Sequence, residues 1–83
     1  MLSNKKVERL CAYVETITRE YHGYLLYQGR SEEPGRAEMH RGRALHLIQS
    51  IYNEVMPEQK FRKKFPEVYD TLTCFRVRLK EDV

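Results

Sequence analysis

The stretch "TLTCFRVRL", residues 71–79, decides the fold class. It is rich in β-formers, and Phe75, Val77 and Leu79 alternate with Arg76 and Arg78 as they would on a half-exposed strand. It also lies inside a longer pattern. Val68, Leu72, Phe75 and Leu79 recur at steps of four, three and four, the repeat of one helix face. Pro66 stands just before that stripe, where proline suits the first position of a helix. A lone strand would have no partner in this chain. The spacing therefore predicts a helix over about 66–81 and an all-α domain. The alternative is an α+β fold with a C-terminal edge strand at about 71–79.

Working back towards the N-terminus, "PEQKFRKKF" reads as a short turn or one turn of helix. Before it, "GRAEMHRGRALHLIQSIYNEVMP", residues 35–57, carries an amphipathic pattern. Ala37, Ala44, Ile48, Ile51 and Val55 make its centre line, with Leu45 and Tyr52 beside it, and Pro57 ends it. A helix over about 37–56 follows. "QGRSEEPGR", residues 28–36, is a loop by its Gly, Pro and Ser content. Over about 4–28 a third helical period appears. Val7, Leu10, Cys11, Val14, Thr18, Tyr21 and Leu25 form one stripe, with Ser3 or Asn4 as N-cap. Gly23 late in this helix marks fraying or a kink. The expected architecture is a three-helix domain over residues 1–83, built on an antiparallel hairpin. Leu10, Val14, Ile48, Ile51 and Leu72 are its expected core.

Composition limits the function classes. Eighty-three residues bury only about 60% of the unfolded surface, so a domain this small gains from oligomerisation. The net charge of +3 permits nucleic-acid binding without implying it. Four of the cations fall within Lys60–Lys64. Cys11 and Cys74 have no metal spacing, and Cys11 lies on the expected core stripe. The start of the chain has no signal-peptide core, and no run approaches a membrane span. The expectation is a cytoplasmic, soluble protein with reduced thiols.

Gly42 raises a specific question, because glycine in a helix interior costs about 1 kcal/mol relative to alanine. It projects onto the polar side, in line with His46, Gln49 and Asn53. The plainest reading starts the helix only at Arg43, with Gly42 near its cap. In the other two, a partner backbone approaches at Gly42, or an anion sits there among free N–H groups.

Tyrosine gives the other signal. Tyr13, Ile17, Tyr24 and Tyr27 form a second stripe beside the first, and tyrosine suits interfaces because it joins buried area to a polar tip. The favoured function is a non-enzymatic module that docks on a protein or on itself, most simply as a homodimer. Tyr13, Ile17, Tyr24, Tyr27, Gly42 and His46 would carry the contacts. The alternative is phosphate or nucleic-acid contact through Arg36, Arg41 and Arg43 and through Lys60, Arg62, Lys63 and Lys64, with Phe61 available to stack on a base. The competing readings are that Glu32, Glu33 and Glu38 neutralise the arginines and that Phe61 and Phe65 are core anchors. No phosphate loop, nucleophile elbow or metal motif occurs, so no catalytic residue, cofactor or metal is expected.

Overall fold

The computed structural model describes residues 3–30, 32, 33 and 35–81. It is 87% helical, with four helices and no strand among the described residues. The first helix, α1, spans Asn4–Tyr27. Ser3 caps it, its hydroxyl accepting a hydrogen bond from the Lys6 N–H at 3.3 Å. The helix ends at Gln28, whose ψ of 124° leaves the helical region, and Gly29, with the positive φ of 82° that glycine adopts without a Cβ penalty, completes a turn closed by the Arg30 N–H donating to the Tyr27 carbonyl at 3.1 Å. Ser31 and Pro34, two residues behind the loop expectation, lie outside the described residues; the described ones between the helices are turns and bends.

α2 spans Arg36–Ser50 and runs antiparallel to α1. Glu20 of α1 faces His40, whereas Tyr13, nearer the start of α1, meets Glu54 beyond the end of α2. The helix widens into a π-helical turn over Ile51–Val55, closed by the Met56 N–H donating to the Ile51 carbonyl at 3.2 Å. Met56 is extended (φ −165°, ψ 135°), the conformation favoured before a proline.

The expected short turn after Pro57 is a seven-residue helix, α3, over Glu58–Lys64. The described residues thus form four helices where three were expected. Phe61 is responsible: it is fully buried, and packing an inward aromatic stabilises a helix too short to stand alone. α4 spans Pro66–Glu81, as the stripe predicts. Val77 rules out the edge strand: alternation would bury it with Phe75 and Leu79, but it is 46% exposed while Leu79 is fully buried.

One apolar cluster joins Leu10, Ile17, Ile48, Ile51, Phe61 and Leu72, with Tyr52 and Val55. A second joins Tyr21, Tyr24, Ala44 and Leu79. Phe75 packs against both and stacks on Tyr21 with ring centroids 4.3 Å apart. Of the expected core, Leu10, Ile48, Ile51 and Leu72 are buried and Val14 is partly so.

The inward direction of α1 differs from the expected stripe. Leu10, Ile17, Tyr21 and Tyr24 are its buried residues, while Val7 is 43% and Leu25 44% exposed, and Cys11 is exposed. At 3.6 residues per turn the true face is rotated by about 60° from the predicted one, towards the tyrosine stripe. The interior lies between the two stripes because α2 and α4 close over α1 from both flanks. Gly23 is neither frayed nor kinked. A Cβ there would lie 2.9 Å from the His40 ring, so the glycine is the groove in which that ring sits.

Candidate functional site

The two expected cationic groups lie at opposite ends of the hairpin. Arg36, Arg41 and Arg43 belong to the first half of α2, beside the α1–α2 loop. Each has an anion. Arg36 pairs with Glu33 at 3.4 Å, Arg41 Nε with Glu38 at 2.8 Å, and Arg43 with Glu20 at 3.7 Å. The Arg36 guanidinium also sits over the Tyr27 ring, 4.5 Å from its centroid. Behind them His40 Nδ1 is 2.6 Å from Glu20, and the His40 ring stacks on Tyr27. The side chains of His40 and Glu20 are each only 14% exposed, so this polar contact is built into the helix packing.

Gly42 is exposed and lies well inside α2, which begins at Arg36 behind the N-cap Gly35. The cap reading is therefore wrong. The anion cradle fails for the same reason, since the free N–H groups of a helix start lie a turn and a half earlier. Nothing stands within 4 Å of a Cβ placed on Gly42. His46 is exposed on the same helix.

The tyrosine stripe is not an open surface. Ile17 is fully buried and Tyr24 is 5% exposed, so both are interior residues and not outward contacts. Tyr13 is half-buried, its hydroxyl donating to Glu54, and that hydrogen bond is the main cause holding the phenol above its usual range. Tyr27 is half-buried beneath Arg36.

The second cationic group behaves differently. Lys60, Arg62, Lys63 and Lys64 are all exposed on α3, and none forms an ion pair with a described residue. Glu58, the one acid of α3, is taken: Arg76 and Tyr69 both donate to its Oε2 at 3.0 Å. The Arg76 guanidinium, then burial in the opposite sense, then Tyr69 act on that carboxyl, and the net result lies below the usual carboxylate range. Glu67 borders a shallow recess with Lys64 but makes no ion pair with it. Phe61 is fully buried and Phe65 half-buried, so Phe61 is a core anchor and has no face free to stack on a base.

Comparison with protein families, with curated proteins and with solved structures finds no match to this chain.

The geometry of α3 is therefore the main guide. Lys60, Lys63 and Lys64 line one recess with Met56, and Gln59, Arg62 and Lys63 line the next. Lys63 thus stands at the crest, with cations down both flanks. Lys5, Lys6 and Arg9, also exposed and without ion pairs to described residues, open α1 at the same end of the hairpin. These three cations are absent from the expected site, although antiparallel topology alone puts the start of the first helix beside the end of the second. No signal in the sequence links Gly23 to His40. Among the described residues no group of three or more His, Cys, Asp or Glu could hold a metal ion, and no helix is long and apolar enough to cross a membrane.

Proposed function

We propose that the protein is a small helical binding module, without an enzymatic role, that docks on an anionic macromolecule through the outer half of α3. One observation carries this reading: four exposed cations on one short helix have no counter-charge from the described residues, although Arg36, Arg41 and Arg43 at the other end of the hairpin each have one. Surface cations facing only water are ordinary singly. Four on about two helical turns repel one another, and an arriving anionic surface relieves that repulsion. The test is retention on an immobilised polyanion such as dextran sulfate. Wild-type protein is retained and elutes with salt; the triple variant Lys60→Gln, Lys63→Gln, Lys64→Gln elutes markedly earlier. Equal elution of the two would overturn the reading.

Self-association is a second reading. It rests on Leu25 and Leu26, neighbours late in α1 that are 44% and 54% exposed. Light scattering at micromolar concentration checks it, and the mass of a single chain counts against it.

A further inference from the structure

We infer that the partner of α3 is the phosphate backbone of double-stranded DNA, contacted from the major groove without base readout. This rests on the binding-module reading above and names the chemistry of its partner. Three observations separate duplex DNA from other polyanions.

The first is the shape of the cationic surface. α3 is a convex ridge whose inner side is Phe61 and whose outer side is Lys63, with Lys60 and Lys64 on one flank and Arg62 on the other. A helix with its side chains is about 10–12 Å across. The major groove of B-form DNA is about 12 Å wide and is walled by phosphates on both sides. A ridge with cations on both flanks can meet both walls. The major groove of A-form RNA is deep and narrow and would not admit it.

The second is residue type. Three of the four cations are lysines, compact charges that suit phosphate without demanding bidentate geometry. Lysine is depleted at protein interfaces, which rely on aromatic and arginine anchors. The outer half of α3 offers no such aromatic anchor, since Phe61 is fully buried. That argues against an acidic protein.

The third is what else the ridge lacks. Its outward positions are Gln59 and cations, with no apolar face to enter a membrane interface. The buried Phe61 leaves no platform on α3 for unpaired bases, and stacking is a main source of affinity for single strands. Among the described residues a neighbour holds only one ridge side chain, Arg62, whose guanidinium lies 5.9 Å from the centroid of the Tyr69 ring, and no hydrogen bond orients any of the four cations towards a base, so binding depends on charge and not on sequence.

Fluorescence anisotropy on the whole chain tests this with five probes: two 20-base-pair DNA duplexes of unrelated sequence, a duplex RNA, poly-glutamate and phosphatidylserine vesicles. The expected result is equal binding of both DNA duplexes, tighter than the other three. The log–log salt slope should be about −2.7, from three phosphates met by the flanking Lys60, Arg62 and Lys64 at about −0.9 each. Lys60→Gln, Lys63→Gln, Lys64→Gln should bring that slope to about −0.9 and weaken binding at least about tenfold at low salt. Arg41→Gln, Arg43→Gln should leave both unchanged. Circular dichroism of each variant checks that the fold persists.

RNA, poly-glutamate or vesicles bound as tightly as DNA, with the same loss in the triple variant, would overturn the DNA inference and leave the anionic-partner reading standing. DNA binding that the triple variant retains, or no binding to any probe, would overturn both. Discrimination between the two DNA sequences would overturn the claim that bases are not read.

Discussion

At the loop end of the hairpin, Arg36, Arg41 and Arg43 each find a carboxylate within 4 Å. At the α3 end, Lys60, Arg62, Lys63 and Lys64 find none among the described residues. The two groups look alike in a composition count. They differ in what stands one helical turn away. Glu38 is three residues before Arg41 on α2, the spacing at which helical side chains meet, and Glu33 is three before Arg36 in the loop that leads into the helix. One turn before the α3 cations come Met56, Pro57, Gln59 and Phe61, with a single acid, Glu58, four residues before Arg62. Glu58 is already held by Arg76 and Tyr69. After Lys64 the helix breaks at Phe65 and Pro66, which puts Glu67 on a different axis. Counting acids at helical spacing thus finds the partner of Arg41 but not that of Arg43, which is Glu20 across the hairpin, and it credits Arg62 with Glu58, which Arg76 and Tyr69 hold instead.

That contrast requires α3 to be a fixed part of the fold. Phe61 is its anchor: fully buried, edge-on to Tyr52 at 5.5 Å and close to Phe65 at 5.3 Å. Phe61→Ala should therefore cost about 3–5 kcal/mol in denaturant unfolding, the range for a buried aromatic. A cost below about 1 kcal/mol would make α3 a loosely attached segment and dissolve its ridge.

The same end should also be the more sensitive to alkali. Burial pushes the Tyr52 phenol up to about 12, against the partial relief given by Arg76. Its hydroxyl is buried and has no hydrogen-bond partner among the described residues. The folded state holds this proton more tightly than the unfolded state. Its contribution is therefore complete below pH 10 and is lost as pH rises towards 12. The loss is at most about 2–3 kcal/mol. Tyr52→Phe should be neutral or stabilising at pH 7, because it removes an unsatisfied group, and should flatten this part of the pH–stability curve. Glu58 acts in the opposite range. Its depressed carboxyl contributes above the usual carboxylate range and less as pH falls through it. An unchanged alkaline profile in Tyr52→Phe would show that another group controls it.

At the loop end, Gly23→Ala probes the packed His40. The added Cβ meets ring atoms at 2.9 Å, and the ring is held by Glu20 on one side and Tyr27 on another. Overpacking of about 1–3 kcal/mol should outweigh the roughly 1 kcal/mol gained in helix propensity. Net stability should fall by about 1 kcal/mol. In a His40→Ala background the clash is gone, and the same substitution should become stabilising. A gain in both backgrounds would show that His40 yields freely and that this end is no more rigid than the other.

Much of this fold is legible in the sequence, and the misses have physical causes. The helix over 66–81 is readable because its stripe runs for four apolar positions, longer than the local alternation that imitates a strand. The α2 centre line is readable because Ala44, Ile48, Ile51 and Val55 leave one face to bury. α3 is not, since its helicity comes from the burial of Phe61 and not from propensity. The inward face of α1 is misjudged because the helix carries apolar residues on two adjacent stripes, and only the positions of α2 and α4 decide between them. At the site, the lysine run is visible in composition. Its freedom from counter-charge depends on Arg76 capturing Glu58 from a helix eighteen residues away. The keying of His40 against Gly23 depends on the register of the hairpin, which no short-range pattern encodes.

The smallest effect comes from the other helical glycine. Gly42 is exposed, lies inside α2 and has an ordinary helical backbone, with open space where a Cβ would project. Gly42→Ala therefore meets no clash and removes the entropic penalty of glycine in a helix interior. Stability should rise by about 0.5–1 kcal/mol. The substitution lies outside the α3 ridge and carries no charge, so polyanion affinity should not move. Comparison with Gly23→Ala then isolates what each glycine does: the first accepts a ring from the facing helix, and the second faces water. A fall in stability at Gly42 would mean that the helix is interrupted there. A gain in stability with weakened binding would place a partner on this face of α2 and move the docking surface away from α3.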